Sequence, residues 1–104
     1  MAGKKVKLTA SMDCKLRELG ARIKRARLRR NISAEMLSDK AGIGESTFYA
    51  IERGASTVSI GAYAAVLFVL GIESDFDTIA IDEEVKKQLY EQNLVKRKRA
   101  SKQR

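Results

Sequence analysis

The chain has 104 residues, enough for one domain with a modest core and too few for two. Lys and Arg number 21 against 13 Asp and Glu, for a net charge of +8, and there is no histidine. That composition excludes imidazole-based catalysis and histidine metal ligation, and it favours a polyanionic partner, either nucleic acid or an anionic membrane surface.

The single cysteine, Cys14, has no internal partner for a disulfide; beside Lys15 on a helical pattern it reads as a packing residue, not a nucleophile. The glycines form neither a phosphate-binding loop nor a dinucleotide fingerprint. No apolar run approaches the ~20 residues that span a bilayer, and no charged-then-apolar leader is evident, so a cytoplasmic protein is expected. Neither enzymatic activity, nor a cofactor, nor a metal is expected.

Proline is absent and apolar residues recur at helical spacing, which predicts an all-α fold. Residues 1–10 read as a basic arm. A first helix should start after Thr9 or Ser11, carry Met12, Leu16, Leu19, Ile23 and Ala26 along one face, and fade near Asn31. Its other face is basic, with Arg17, Arg22, Lys24, Arg25 and Arg29. Ser33 then caps a short helix, "AEMLSDKA", with Met36, Leu37 and Ala41 inward and Gly42 as its stop. A three-residue turn, Gly42, Ile43 and Gly44, leads into "ESTFYAIER", where Phe48 and Ile51 share a buried face. Two helices joined by a short glycine-containing turn are the pattern of a helix-turn-helix. Ser59 caps a fourth helix ending at Gly71. Residues 72–95 comprise an acidic linker and a fifth helix capped by Asp82, with Glu83 and Glu84 in its first turn. Residues 96–104 carry six positive and no negative charges and read as a disordered tail.

Leu19-Gly20, Ile23-Lys24, Arg27, Ser33, Leu37, Ala41-Gly42-Ile43, Thr47-Phe48, Ile51-Glu52-Arg53-Gly54, Ser59-Ile60 and Leu70-Gly71 together resemble the XRE family of phage-repressor-like regulators. The resemblance covers residues 16–71 and implies a five-helix lambda-repressor-like DNA-binding fold, with the helix-turn-helix domain over residues 11–71 and a basic C-terminal extension. Ala34, Gly44 and Val58 depart from the family's usual glutamine, Ser or Thr, and proline. The resemblance also implies a semi-buried ion pair between Arg27 and Glu52.

A recognition helix of this kind lays its N-terminal residues against base edges in the major groove of operator DNA. Glu45, Ser46, Tyr49 and Ala50 are the candidates: a carboxylate accepts from cytosine, a hydroxyl pairs with most bases, and a methyl meets thymine. Ser33, Thr47, Arg53, Lys24 and Arg25 are candidates for phosphate contacts. The family pattern turns Ile60, Tyr63, Val66, Leu67 and Leu70 inward. Because the fourth helix is apolar all round, either a second protomer or the C-terminal helix must cover Phe68 and Val69; the dimer is the favoured reading, with Ala65, Phe68 and Val69 at a homodimer interface.

The segment "TVSIGAYAAVLFVLGI" and the acidic-to-basic layout after it are similar to HipB-like antitoxins. That likeness implies a dimeric repressor that autoregulates its operon and holds a HipA-type kinase toxin. The alternatives are a stand-alone phage or chromosomal repressor, a controller protein of a restriction system, and a module given chiefly to protein interaction.

Overall fold

The computed structural model describes residues 6–102, and all of its regular structure is helical. Residues 1–5 of the expected arm, and 103–104 of the expected tail, lie outside the described residues. The chain divides after Glu73 into two compact units.

The first unit holds α1 (Ala10–Arg29), α2 (Ala34–Ala41), α3 (Glu45–Glu52) and α4 (Ile60–Leu70). Three of the four start on a hydroxyl cap. The side-chain oxygens of Thr9, Ser33 and Ser59 accept from the amides of Met12, Met36 and Ala62 at 3.1, 3.0 and 3.1 Å. All four stop in one way. Asn31, Gly42, Gly54 and Gly71 take left-handed backbone (φ 53, 72, 74 and 78). The amide after each then reaches back five residues, as in Ile43 to Ser38 at 3.0 Å and Ile72 to Leu67 at 2.9 Å. Asparagine at the first of these stops works because its short side chain tolerates that region better than other residues do.

Each helix contributes to the core. Ile23 of α1, Leu37 of α2, Phe48 and Ile51 of α3 and Val66 of α4 are fully buried, each supplying roughly 1.5–3 kcal/mol. α3 packs on α1 and α2, and α4 on α2 and α1. The contact between α1 and the end of α3 is backbone-close. A Cβ on Gly20 would fall 2.5 Å from the Glu52 carbonyl oxygen and 2.7 Å from that of Ile51. A Cβ on Gly54 would collide with the Leu16 backbone. Both residues must be glycine.

Three expectations about inward residues are corrected. Met36 is 51% exposed, because α2 turns Ala34, Leu37 and Ser38 to the core instead. Met12, 44% exposed, lies in the first turn of α1, before the buried stretch that begins at Gly20. Ile60 is 71% exposed: it is the first residue of α4, and the buried face begins a turn later at Tyr63. α4 is therefore not covered on all sides. Tyr63, Val66, Leu67 and Leu70 are buried, whereas Phe68 is 67% exposed.

The second unit begins in a 3-10 helix, Glu73–Thr78, within the stretch read as an acidic linker. Asp82 Oδ1 accepts from the Val85 amide at 2.9 Å and starts α5 (Glu83–Lys102). α5 runs on past residue 96 to Lys102. Continuation is electrostatically reasonable, because cations near a helix C-terminus favour its dipole.

Candidate nucleic-acid interface

Local rules build the α2–turn–α3 unit. α2 ends on the left-handed Gly42, Ile43 tucks partly inward, and Gly44 returns to extended backbone (φ −72, ψ 153) as the cap residue of α3. No side chain caps α3, so its leading amides point outward without a side-chain acceptor. Phe48 and Ile51, both at 0% exposure, seat the helix from behind.

With the back seated, the front follows from helical geometry. Glu45, Tyr49, Arg53, Ser46 and Ala50 span an arc of about 140° at about 100° per residue. Glu45, Ser46, Tyr49 and Arg53 are exposed, and Ala50 is half-buried. The Tyr49 ring stands 6.2 Å from the Phe48 ring, tilted by 55°, so a buried aromatic steadies an exposed one. Arg53, a candidate for a phosphate contact, lies within the same arc. Thr47 is partly buried beside it.

Behind α3, the Arg27 guanidinium locks the unit together. Its Nε donates to Glu52 Oε2 at 2.8 Å, Nη2 to Oε1 at 3.3 Å, and Nη1 to the Ile32 carbonyl oxygen at 3.1 Å. The two side chains are 10% and 6% exposed. The same guanidinium carbon stands 5.6 Å from the Phe48 ring centre. The hydrogen bond to Glu52 raises the Arg27 pKa above its ordinary value, outweighing the opposite effect of burial. One side chain thus ties α1, the α1–α2 turn and the recognition-type helix.

The remaining expected contacts are more scattered. Ser33 is exposed at the start of α2; its oxygen accepts from Met36, and its hydroxyl proton stays available to an anion beside the helix's open amides. Lys24 and Arg25 are exposed on α1. Arg25 lies about half a turn from the face that carries Gly20, Ile23 and Arg27, so it points away from α3. With Ala21, Lys24, Leu28 and Arg29 it lines an open depression of about 450 Å³. The structure therefore gathers the α3 residues into one surface and sets Arg25 apart from it.

Two helices joined by a tight glycine turn, the second presenting polar and basic side chains from a rigid mount, define a helix-turn-helix of the DNA-binding kind. The chain belongs to the helix-turn-helix domain family, whose model matches residues 18–75, more than half of its length. A search of curated proteins finds no match. Among the described residues, no helix is long and apolar enough to cross a membrane.

Proposed function

We propose that this protein is a sequence-specific double-stranded-DNA-binding transcriptional regulator acting as a dimeric repressor. The observation that supports this reading is the two-sidedness of α3, with Phe48 and Ile51 fully buried behind Glu45, Ser46, Tyr49 and Arg53. Glu45 and Ser46 read base edges, and Ala50 meets a thymine methyl. Tyr49 spans a phosphate and a base edge. Arg53, Thr47, Ser33 and the amides of α2 hold the backbone, while Lys24 and Arg25 add diffuse attraction. No catalytic step and no cofactor enters this reading.

Footprinting on the DNA upstream of the protein's own coding region tests it. Two protected patches one helical turn apart, about 34 Å, are expected from a two-fold dimer. Glu45→Ala and Tyr49→Ala each weaken binding by about 1–3 kcal/mol and relax preference at particular base pairs. Duplex DNA that competes no better than heparin would overturn the reading.

Within that class the protein is an antitoxin that represses its own operon and holds a HipA-type kinase toxin. Support for this finer role is the likeness of residues 57–72 to HipB-like proteins, together with the acidic-to-basic layout that follows. Purification from the native host decides it. A kinase-sized partner at stoichiometric yield is expected, and a chain that purifies alone is a stand-alone repressor.

A further inference from the structure

We infer that the outward face of α1, at the depression between Ala21 and Leu28, docks an acidic amphipathic helix of another protein. The inference stands apart from the DNA-binding reading, since it uses the side of α1 turned away from the core-facing Gly20, Ile23 and Arg27.

The depression has the form of a helix-packing site. Ala21, Lys24, Arg25 and Leu28 line it, together with Arg29. The first four stand at i, i+3, i+4 and i+7. Those are the four corners of the hole that receives one side chain of a facing helix when two helices interdigitate. Ala21 keeps the floor low, and Leu28, 54% exposed, supplies an apolar wall. The same outward line passes, seven residues before Ala21, through the exposed Cys14, so the bed for a partner helix runs for about 20 Å.

Charge names the occupant. Residues 19–34 contain six Lys and Arg and no Asp or Glu. Arg27 is taken by Glu52, which leaves Arg22, Lys24, Arg25, Arg29 and Arg30, all exposed. Among the described residues, none of these five enters an ion pair. A helix that sets an apolar side chain into the depression and carboxylates along both flanks satisfies the wall and the cations together. The α1 of a second copy does not. Lys24 and Arg25 border the hole on opposite sides, so pairing in either direction sets cations against cations. The helix α5 is equally unsuited by charge, with three acidic and seven basic residues. A phosphate backbone suits the cations but not the wall: its contacts are polar, and they would leave Leu28 in water.

Fluorescence anisotropy of the full chain with a labelled synthetic helix of about three heptads tests the inference. Its seam carries leucines and both of its flanks carry glutamates. This probe is expected to bind at least ten-fold more tightly than polyglutamate, and than a peptide of the same composition with the leucines scrambled. Leu28→Gln, checked by circular dichroism for unchanged helix content, weakens the probe by about ten-fold and leaves affinity for duplex DNA unchanged. Arg25→Glu combined with Arg29→Glu weakens it further, and the probe stays bound when duplex DNA is added in excess. Polyglutamate that binds as well as the probe reduces the face to a solvated basic surface and overturns the inference. Displacement of the probe by duplex DNA assigns the face to phosphates and overturns it as well. So does a gain in probe affinity on Asp75→Asn with Asp77→Asn, which would show the chain's own acidic stretch competing for the depression.

Discussion

Arg27 and Glu52 stand 25 residues apart in sequence and meet almost out of water. Such a pair adds little net stability relative to apolar residues of similar volume, but a lone survivor is an unpaired buried charge. Arg27→Met and Glu52→Leu should therefore each lose ~3–5 kcal/mol in urea unfolding, with the double variant losing much less than the sum. Additive losses would mean the two side chains do not interact. Tyr63 provides a second residue-scale expectation. Its hydroxyl donates to the Ala55 carbonyl oxygen at 2.7 Å, and burial raises its pKa above the ordinary 10.0. Unfolding therefore releases this proton at pH values where the folded chain retains it. Its contribution to stability is complete below pH 10 and declines as pH rises through the folded-state value. Tyr63→Phe should lose about 1 kcal/mol at neutral pH from the missing hydrogen bond, and the loss should shrink in alkaline melts. A constant difference across pH would contradict this.

At the scale of elements, α1 and α3 approach until only glycine fits between them. Gly20→Ala places a methyl against the backbone of α3 itself, not against a side chain that can swing aside. A loss of about 3 kcal/mol is expected in thermal or urea melts. Since α3 must tilt to relieve the clash, DNA affinity should fall even at temperatures where the variant is folded. Helix starts and stops were readable from the chain: Thr9, Ser33, Ser59 and Asp82 cap as their chemistry dictates, and glycines close α2 and α4. Inward faces were read less well at the ends. Met12 and Ile60 fit a periodic stripe yet sit where a helix has outrun its neighbours, and periodicity carries no information about that.

Across the whole molecule, charge and shape are divided. Residues 31–71 hold two positive and four negative side chains, whereas residues 1–30 hold eleven positive and two negative. On the proposed function, α3 belongs to a segment with no net attraction for a polyanion, so affinity for DNA is expected to come from α1 and the ends of the chain. Deleting residues 1–7 and 96–104 should flatten the plot of log affinity against log salt by ~0.9 for each phosphate no longer neutralised, while base-pair preference is retained. An unchanged slope would show that the ends do not touch DNA.

By itself the sequence determined that the chain is helical, where α2, α3 and α4 begin and stop, and that a helix-turn-helix occupies its middle. All of these depend on neighbours within about five residues: a hydroxyl reaching an amide, a glycine turning left-handed, two apolar residues a turn apart. The two-sidedness of α3 was legible for the same reason. Only the tertiary structure decided that Gly20 and Gly54 are spacers between helices, and that Met12, Met36 and Ile60 remain outside a core which takes Tyr63, Val66, Leu67 and Leu70 from α4. Those outcomes depend on where one helix ends against another. That is a distance through space, and spacing along the chain does not encode it.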